Sequence, residues 1–422
     1  MSAPRPRLAF ISPVFLFPAD TGGRIRTTNI LRGLKGGAFD VTLLGPAGAE
    51  QLRRWAPRLD ALCDRFVPWQ PSPVRPRWRR AWDLLGPLPV NVAADRTQPG
   101  LRAVNRALQP GAFDVVVFDF VHAAVLRPAG LACASVCFTH NIEAEIFARH
   151  ADQARGALMR AVWSAQCKKM QRFEAEALPR FTSVVAVSER DAAFLSERYG
   201  VAAPAVIPTG VDLDYFEWRT PPPVGANMPP TVVFTGSMDW DANIDGVRHF
   251  LDHAWPLIHG RVPSARFIVV GRNPPASLVE RGRAVPGVTF TGLVDDVRPY
   301  VYGAHVFVIP LRVGGGTRIK AFEAMAMGCP VVSTTVGIEG LSVQAGDHYL
   351  LRDEPADQAD AIVTLLGDAS QCHAISVRAR QCVEARFGHR VAAQVFERIC
   401  LEARDKYGAR ANTRPQASAM TA

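Results

Sequence analysis

Arg318, Lys320 and Glu323 follow three consecutive glycines, Gly314, Gly315 and Gly316, with Thr317 between. This spacing suits the binding of a diphosphate and its ribose. Glycines let backbone N–H groups turn toward an anion and approach it closely. A helix that starts at a Thr317 cap presents bare amides and the positive end of its dipole to phosphate. Cations in a first turn are disfavoured by that dipole, so an anion is the expected compensation for Arg318 and Lys320. Glu323 lies about 9 Å further along at 1.5 Å per residue, the reach from a pyrophosphate to its ribose hydroxyls. Taken alone, the glycine triplet suits a plain loop equally well, with Arg318 and Glu323 a solvated pair.

The elements around this segment favour the first reading. His305 to Pro310 and Cys329 to Ser333 are short apolar runs of the kind buried on both faces of a parallel sheet. Ile319, Phe322, Met325 and Ala326 give the intervening helix its apolar face, and Gly328 is placed to end it as a left-handed cap. Similar runs at Arg7–Ser12, Phe39–Gly45, Phe113–Phe120, Ser135–Thr139 and Ser183–Val187 alternate with helical patterns such as Gly156–Leu178. The Pro-rich stretch TPPPVGANMPP at 220–230 reads as a linker, after which the alternation restarts near Thr231–Thr235, Arg266–Gly271 and Val288–Thr291. Two layered α/β domains follow, with expected bounds 1–208 and 231–387, a linker at 209–230, a helix at 388–406 and a disordered tail at 407–422.

The segment PLRVGGGTRIKAFEAMAMGCPVVST resembles the donor site of GT-B retaining glycosyltransferases of family 4. More narrowly, the chain is similar to sugar transferases associated with bacterial exopolysaccharide and exosortase gene clusters. The likeness runs through DTGGRIRT (20–27), THNIEAEIF (139–147), VIPTGVDLDYF (206–216), FTGSMDWDANIDGVRHF (234–250), IVVGRNPP (268–275) and VTFTGLVDDVRPYV (288–301). It implies a GT-B fold: two facing Rossmann-like domains, the first for the acceptor and the second for a nucleoside-diphosphate sugar. It also implies a C-terminal helix crossing back to the N-terminal domain. His140 matches a histidine that faces the donor sugar. Gly236, Ser237, Gly271, Arg272 and Val294 fall at strand ends expected to border the nucleotide, with Gly315, Gly316, Thr317 and Glu323. Gly22 and Gly23 lie in the first strand-to-helix turn, beside donor phosphate or acceptor, and Arg24 and Arg26 next to them are either charge-bearing or exposed. The sequence departs from the family at two places. Gly315 stands where the first of two glutamates is usual, and Gly236-Ser237 stands where many members carry a phosphate-binding arginine, which leaves Arg318 and Lys320 for that charge.

The implied reaction is hexosyl transfer with retention to a saccharide or lipid-linked saccharide in polysaccharide assembly. The nucleotide sugar is the co-substrate, and neither cofactor nor metal is expected. The triplets Asp239-Trp240-Asp241 and Asp212-Leu213-Asp214 are weak metal signals, because Asp is common in turns. Asn243 and Asp245 instead suit the start of the helix after Ser237. Glu143, one turn beyond His140, either orients it or supports a helix N-terminus. The alternatives are a nucleotide-sugar epimerase of the same fold, which needs no acceptor, and a non-catalytic nucleotide-sugar sensor. The turn TGGRIRT is neither GxGxxG nor a GxxxxGK[ST] loop, which disfavours a nicotinamide dehydrogenase.

Composition is ordinary for a soluble globular protein with two full cores: 422 residues, 48% hydrophobic and 21% charged. Eight cysteines without CxxC or zinc spacing read as buried reduced thiols, and the chain is expected to be cytoplasmic. The net charge of +9 is uneven, with eleven arginines against four acidic residues between 53 and 106. There Arg75, Arg77, Arg79 and Arg80 flank Trp78 and Trp82, which suits peripheral contact with anionic headgroups on the inner membrane face, the mouth of a lipid-linked acceptor site, or a solvated basic loop. No nucleic-acid motif accompanies the charge.

Overall fold

The computed structural model describes residues 4–19, 21–72, 83–154, 156–223, 228–313 and 318–413. The chain forms two compact units, Met1–Gly210 with His389–Ala422, and Val211–Gly388.

The first unit is a seven-stranded sheet built from β1 (Arg7–Ile11), β2 (Asp40–Pro46), β3 (Arg65–Trp69), β4 (Val115–Asp119), β5 (Ala134–Phe138), β6 (Ser183–Ala186) and β7 (Ala205–Val206), in the order β3-β2-β1-β4-β5-β6-β7. Every pairing is parallel. Helices therefore cover both faces, and the central strands are apolar on both sides. Leu8 and Phe10 of β1 enter one core cluster while Ala9 and Ile11 enter the other; Val115 and Val117 of β4 part from Val116 and Phe118 in the same way. The order reverses between β1 and β4, and such a reversal opens a crevice at the carboxyl ends of the strands.

The second unit repeats the plan with β8 (Thr231–Thr235), β9 (Arg266–Val270), β10 (Val288–Gly292), β11 (Val306–Ile309), β12 (Val331–Ser333) and β13 (Leu350–Leu351), ordered β10-β9-β8-β11-β12-β13. Its reversal lies between β8 and β11. Within the stretch read as linker, Val211, Leu213 and Phe216 pack into this unit's core, and the Arg219 N–H donates to the Met327 carbonyl.

The last helix, His389–Thr413, belongs to the first unit. Phe396 is fully buried there, with ring centroids 5.0 Å from Phe138 and 6.3 Å from Phe10. Gly33 on the helix Gly22–Leu34 admits it, since a Cβ at 33 would sit 2.2 Å from the Ala393 Cβ.

Of the four edge strands, β10 was expected, whereas β3, β7 and β13 were not. They are short and half-exposed, and β3 carries Pro68, tolerated at an edge because no neighbour requires its missing N–H. Among the described residues no helix is long and apolar enough to cross a membrane, and all eight cysteines are unpaired, seven of them buried.

Candidate active site

In the second unit the ends of β8, β9 and β11 bring together much of the expected donor set. The Gly236 N–H donates to the Val270 carbonyl, and Gly271 lies so close that a Cβ there would fall 1.8 Å from the Gly236 oxygen. Lys320 reaches over Gly236 and donates to Asn243 Oδ1 at 3.1 Å, with its ammonium 4.3 Å from the centre of the Phe234 ring. Asn243, which is buried, donates in turn to the Ser237 carbonyl at 2.7 Å. A Cβ at position 236 would stand 2.7 Å from Lys320 Nζ and 2.9 Å from Asn243 Nδ2. Glycine at 236 therefore leaves room for this cation.

The helix after β11 runs Ile319–Ala326, so it begins one residue later than a Thr317 cap implies. Arg318 occupies the capping position, is 2% exposed, and donates from Nε to the Val336 carbonyl. Lys320 is in the first turn and Glu323 one turn on; both are half-buried. Burial, reinforced by Arg318 and opposed by Glu323, pushes the Lys320 ammonium down to about 7. Burial, opposed by Lys320, pushes the Glu323 carboxyl up to about 7. Both groups thus sit in an environment that disfavours their charges until an ionic partner arrives. The helix ends as expected: the Gly328 N–H donates to Met325 and the Cys329 N–H to Ala324, with Gly328 at φ +84°.

Arg272 is turned toward its own loop, donating to Ser237 Oγ at 3.0 Å and pairing with Asp239 at 3.3 Å. The Ser237 hydroxyl, with Arg272 beyond it, holds the Asp239 carboxyl below the usual range. Asp241 opens the helix Asp241–His249, which contains Asn243 and Asp245 as expected, and Asp212 accepts the N–H groups of Asp214 and Tyr215. Val294, after β10, packs half-buried into the cluster that contains Phe322. Gly315, Gly316 and Thr317 lie outside the described residues, as do Arg75, Arg77, Trp78, Arg79, Arg80 and Trp82.

In the first unit His140 follows β5 and is 3% exposed. Its Nε2 lies 2.8 Å from Asp119 Oδ1 at the end of β4, and Asp119 also accepts from Thr27 Oγ1 at 3.0 Å and Ser12 Oγ at 3.2 Å. Such pairing assigns the ring proton to Nε2 and leaves Nδ1, buried and without a hydrogen-bond partner among the described residues, as an acceptor. Burial holds the His140 pKa low, Asp119 opposes this, and Arg26 and His122 add to it. Gly22 and Gly23 are the first residues of the helix Gly22–Leu34. A Cβ at 23 would meet the Phe120 ring at 2.6 Å, so glycine there lets Phe120 lie over His140. Arg26 is buried, with burial lowering its pKa to about 10, and Arg24 is half-buried. Glu143 does not bond His140: it opens the helix Glu143–Gln153, whose first amides donate to Glu174. Asp119, Thr27 and Ser12 were not foreseen. Their one sequence signal is an aspartate ending the otherwise apolar run VVVFD.

A model described as "Glycosyltransferase Family 4" matches residues 21–215, and one described as "Glycosyl transferases group 1" matches 229–368. An uncharacterized 44.6 kDa protein in the cps region of Klebsiella pneumoniae is 22% identical over 176 residues, 39% of this chain, and the match spans only 45% of that relative. Sucrose-phosphate synthase from Thermosynechococcus elongatus superposes with a TM-score of 0.65 at 19% identity, covering 94% of this chain and 99% of that one. HepE from Anabaena, in complex with UDP-glucose, superposes at 0.60 with 16% identity, covering 94% and 99%. At these identities the structural likeness establishes the fold. The two family matches together take in both units, and with the two parallel Rossmann-like sheets they show that the chain belongs to the family 4 glycosyltransferases of GT-B fold.

Proposed function

We propose that this chain transfers a hexosyl unit from a nucleoside-diphosphate sugar to a hydroxyl of a saccharide or lipid-linked saccharide, with retention, in bacterial polysaccharide assembly. The observation that carries the donor half is the convergence of Lys320, Asn243, Gly236 and Gly271 at the carboxyl edge of the second sheet, with Glu323 one turn along the same helix. The UDP-glucose complex of HepE and the capsule-region relative support the substrate class and the setting.

The barrier is departure of an anionic diphosphate from an oxocarbenium-like carbon, which calls for fixed positive charge. Lys320 supplies it when protonated, and a bound diphosphate draws the ammonium back to its charged form. Arg318, at the start of the same helix, adds charge, and Glu323 accepts from the ribose hydroxyls. No metal is invoked. The acceptor oxygen bonds to the anomeric carbon on the face the diphosphate leaves, and the departing phosphate oxygen takes the hydroxyl proton. His140 Nδ1 accepts a hydrogen bond donated by a substrate hydroxyl at the first unit. The Arg- and Trp-rich 75–82 segment is proposed to meet anionic headgroups at the cytoplasmic face, which co-sedimentation with anionic liposomes tests.

Thermal stabilisation by UDP, GDP, ADP, TDP and NAD, each with and without a chelator, is the test of the donor site. Selective stabilisation by one diphosphate that survives the chelator is expected. Stabilisation by NAD alone, or by none, would sink the donor assignment. NMR of the product's anomeric proton then decides retention, and product formed without acceptor would mark an epimerase.

A further inference from the structure

Phe120, immediately after β4, has φ +66° and ψ 148°, a backbone region that side-chain-bearing residues rarely adopt. Its surroundings hold it there. Its N–H donates to the Phe138 carbonyl at 2.8 Å, and its ring presses on Gly23. The ring also lies against two imidazoles: His140, centroids 4.1 Å apart, and His122, stacked at 5.0 Å with 22° between planes. Each imidazole has its own carboxylate, Asp119 for His140 and Asp95 for His122, the second through a short contact to Nδ1.

The two histidines differ in surroundings. His140 is enclosed, while the His122 and Asp95 side chains keep 13% and 15% of their surface. Asp95 comes from the helix Val90–Asp95, which is pinned by Gln166 accepting the Val90 N–H and by Asn91 donating to Glu143. The charged groups facing His122 are Asp95, Glu143 and Asp119; those facing His140 are Asp119, Arg26 and His122. Burial disfavours charge on both rings. At His122 the Asp95 hydrogen bond, with Glu143 and Asp119 behind it, wins and the pKa is raised; at His140 burial wins and the pKa is lowered.

We propose that Asp95 and His122 are positioning residues for His140: the ion-paired His122 ring holds Phe120 over His140, and its positive charge adds to burial and to Arg26 in keeping His140 Nδ1 an unprotonated acceptor for a substrate hydroxyl. Its consequence for turnover rests on the transferase reading, whereas the protonation states do not.

The test is nitrogen-15 NMR of the histidine rings in the full chain, titrated from pH 5 to 8. In the parent, His140 stays in its neutral Nε2–H form at pH values where His122 is still charged. In His122→Gln, Asp95 is left without its cation and His140 takes up its proton at higher pH. In Asp95→Asn, His122 loses its proton at lower pH, and His122→Lys, which restores the charge, returns His140 toward the parent curve. Parent-like His140 titration in folded His122→Gln overturns the proposal, as does a parent His122 that titrates below His140. Should His122→Gln not fold, Asp95→Asn decides through the His122 curve. With turnover in hand, the acidic limb of the rate profile of His122→Gln moves to higher pH, about a tenfold loss on that limb for each unit of displacement. Absence of turnover with every donor would remove the transferase reading and leave the NMR outcome standing.

Discussion

Lys320 and Glu323 are the two residues on which the proposed donor site rests most, and burial disfavours the charged form of each. The Glu323 carboxyl, raised from 4.5 to about 7, binds its proton more tightly in the folded chain, so stability from it is present below pH 4.5 and lost as pH rises to 7. The Lys320 ammonium, lowered from 10.5 to about 7, gives up its proton first in the folded chain, so stability is regained between pH 7 and 10.5. The expected result is a minimum near pH 7 in parent stability measured against Lys320→Met/Glu323→Gln, read from urea midpoints at several pH values. Calorimetry in buffers of different ionisation enthalpy should show proton uptake on diphosphate binding between pH 7 and 8, absent in Lys320→Met. Glu323→Ala should weaken donor binding by roughly tenfold or more, the scale of a lost charged hydrogen bond; affinity within twofold of the parent would remove the ribose assignment. The sequence made these residues legible because they share one short segment. Asp119, Thr27 and Asp95 stayed hidden because their partners, His140 and His122, are neighbours only through sheet topology.

Elements were readable where burial was two-sided. The runs of β1, β4, β5, β8, β9 and β11 announce themselves because both faces pack, whereas β3, β7 and β13 pair on one side and carry too little apolar signal. The helix Ile319–Ala326 was legible in its apolar face and its stop, less so in its start, since Arg318 caps nothing with its side chain. Its stop is stringent. Gly328 sits at φ +84°, and a Cβ there would fall 2.4 Å from the Arg219 carbonyl oxygen and 2.8 Å from Trp218 Nε1. Gly328→Ala should therefore destabilise the second unit by about 1–3 kcal/mol, from left-handed strain plus the clash, measured by urea denaturation. A change below 0.5 kcal/mol, about the scatter of innocuous surface substitutions, would mean the cap relaxes freely.

For the whole molecule, the layered α/β plan follows from the alternation of strands and helices, while the return of the last helix rested on family likeness, since its pattern alone does not say which sheet it joins. Phe396→Ala should cost about 3–5 kcal/mol, the usual range for emptying a buried aromatic site, and lower the melting temperature of the first unit. Calorimetric scans check this, and a loss under 1 kcal/mol would place Phe396 outside the core. The same helix makes the first unit discontinuous in sequence, with Val211–Gly388 inserted between its parts. During synthesis, the greasy face formed by Phe10, Ile30, Leu31 and Phe138 has no cover until residues 389–403 leave the ribosome, long after its strands have been made. The second unit, contiguous in sequence, can mature first. A nascent chain halted at Gly210 should then be a chaperone client, because the helix that covers this face has not yet been made.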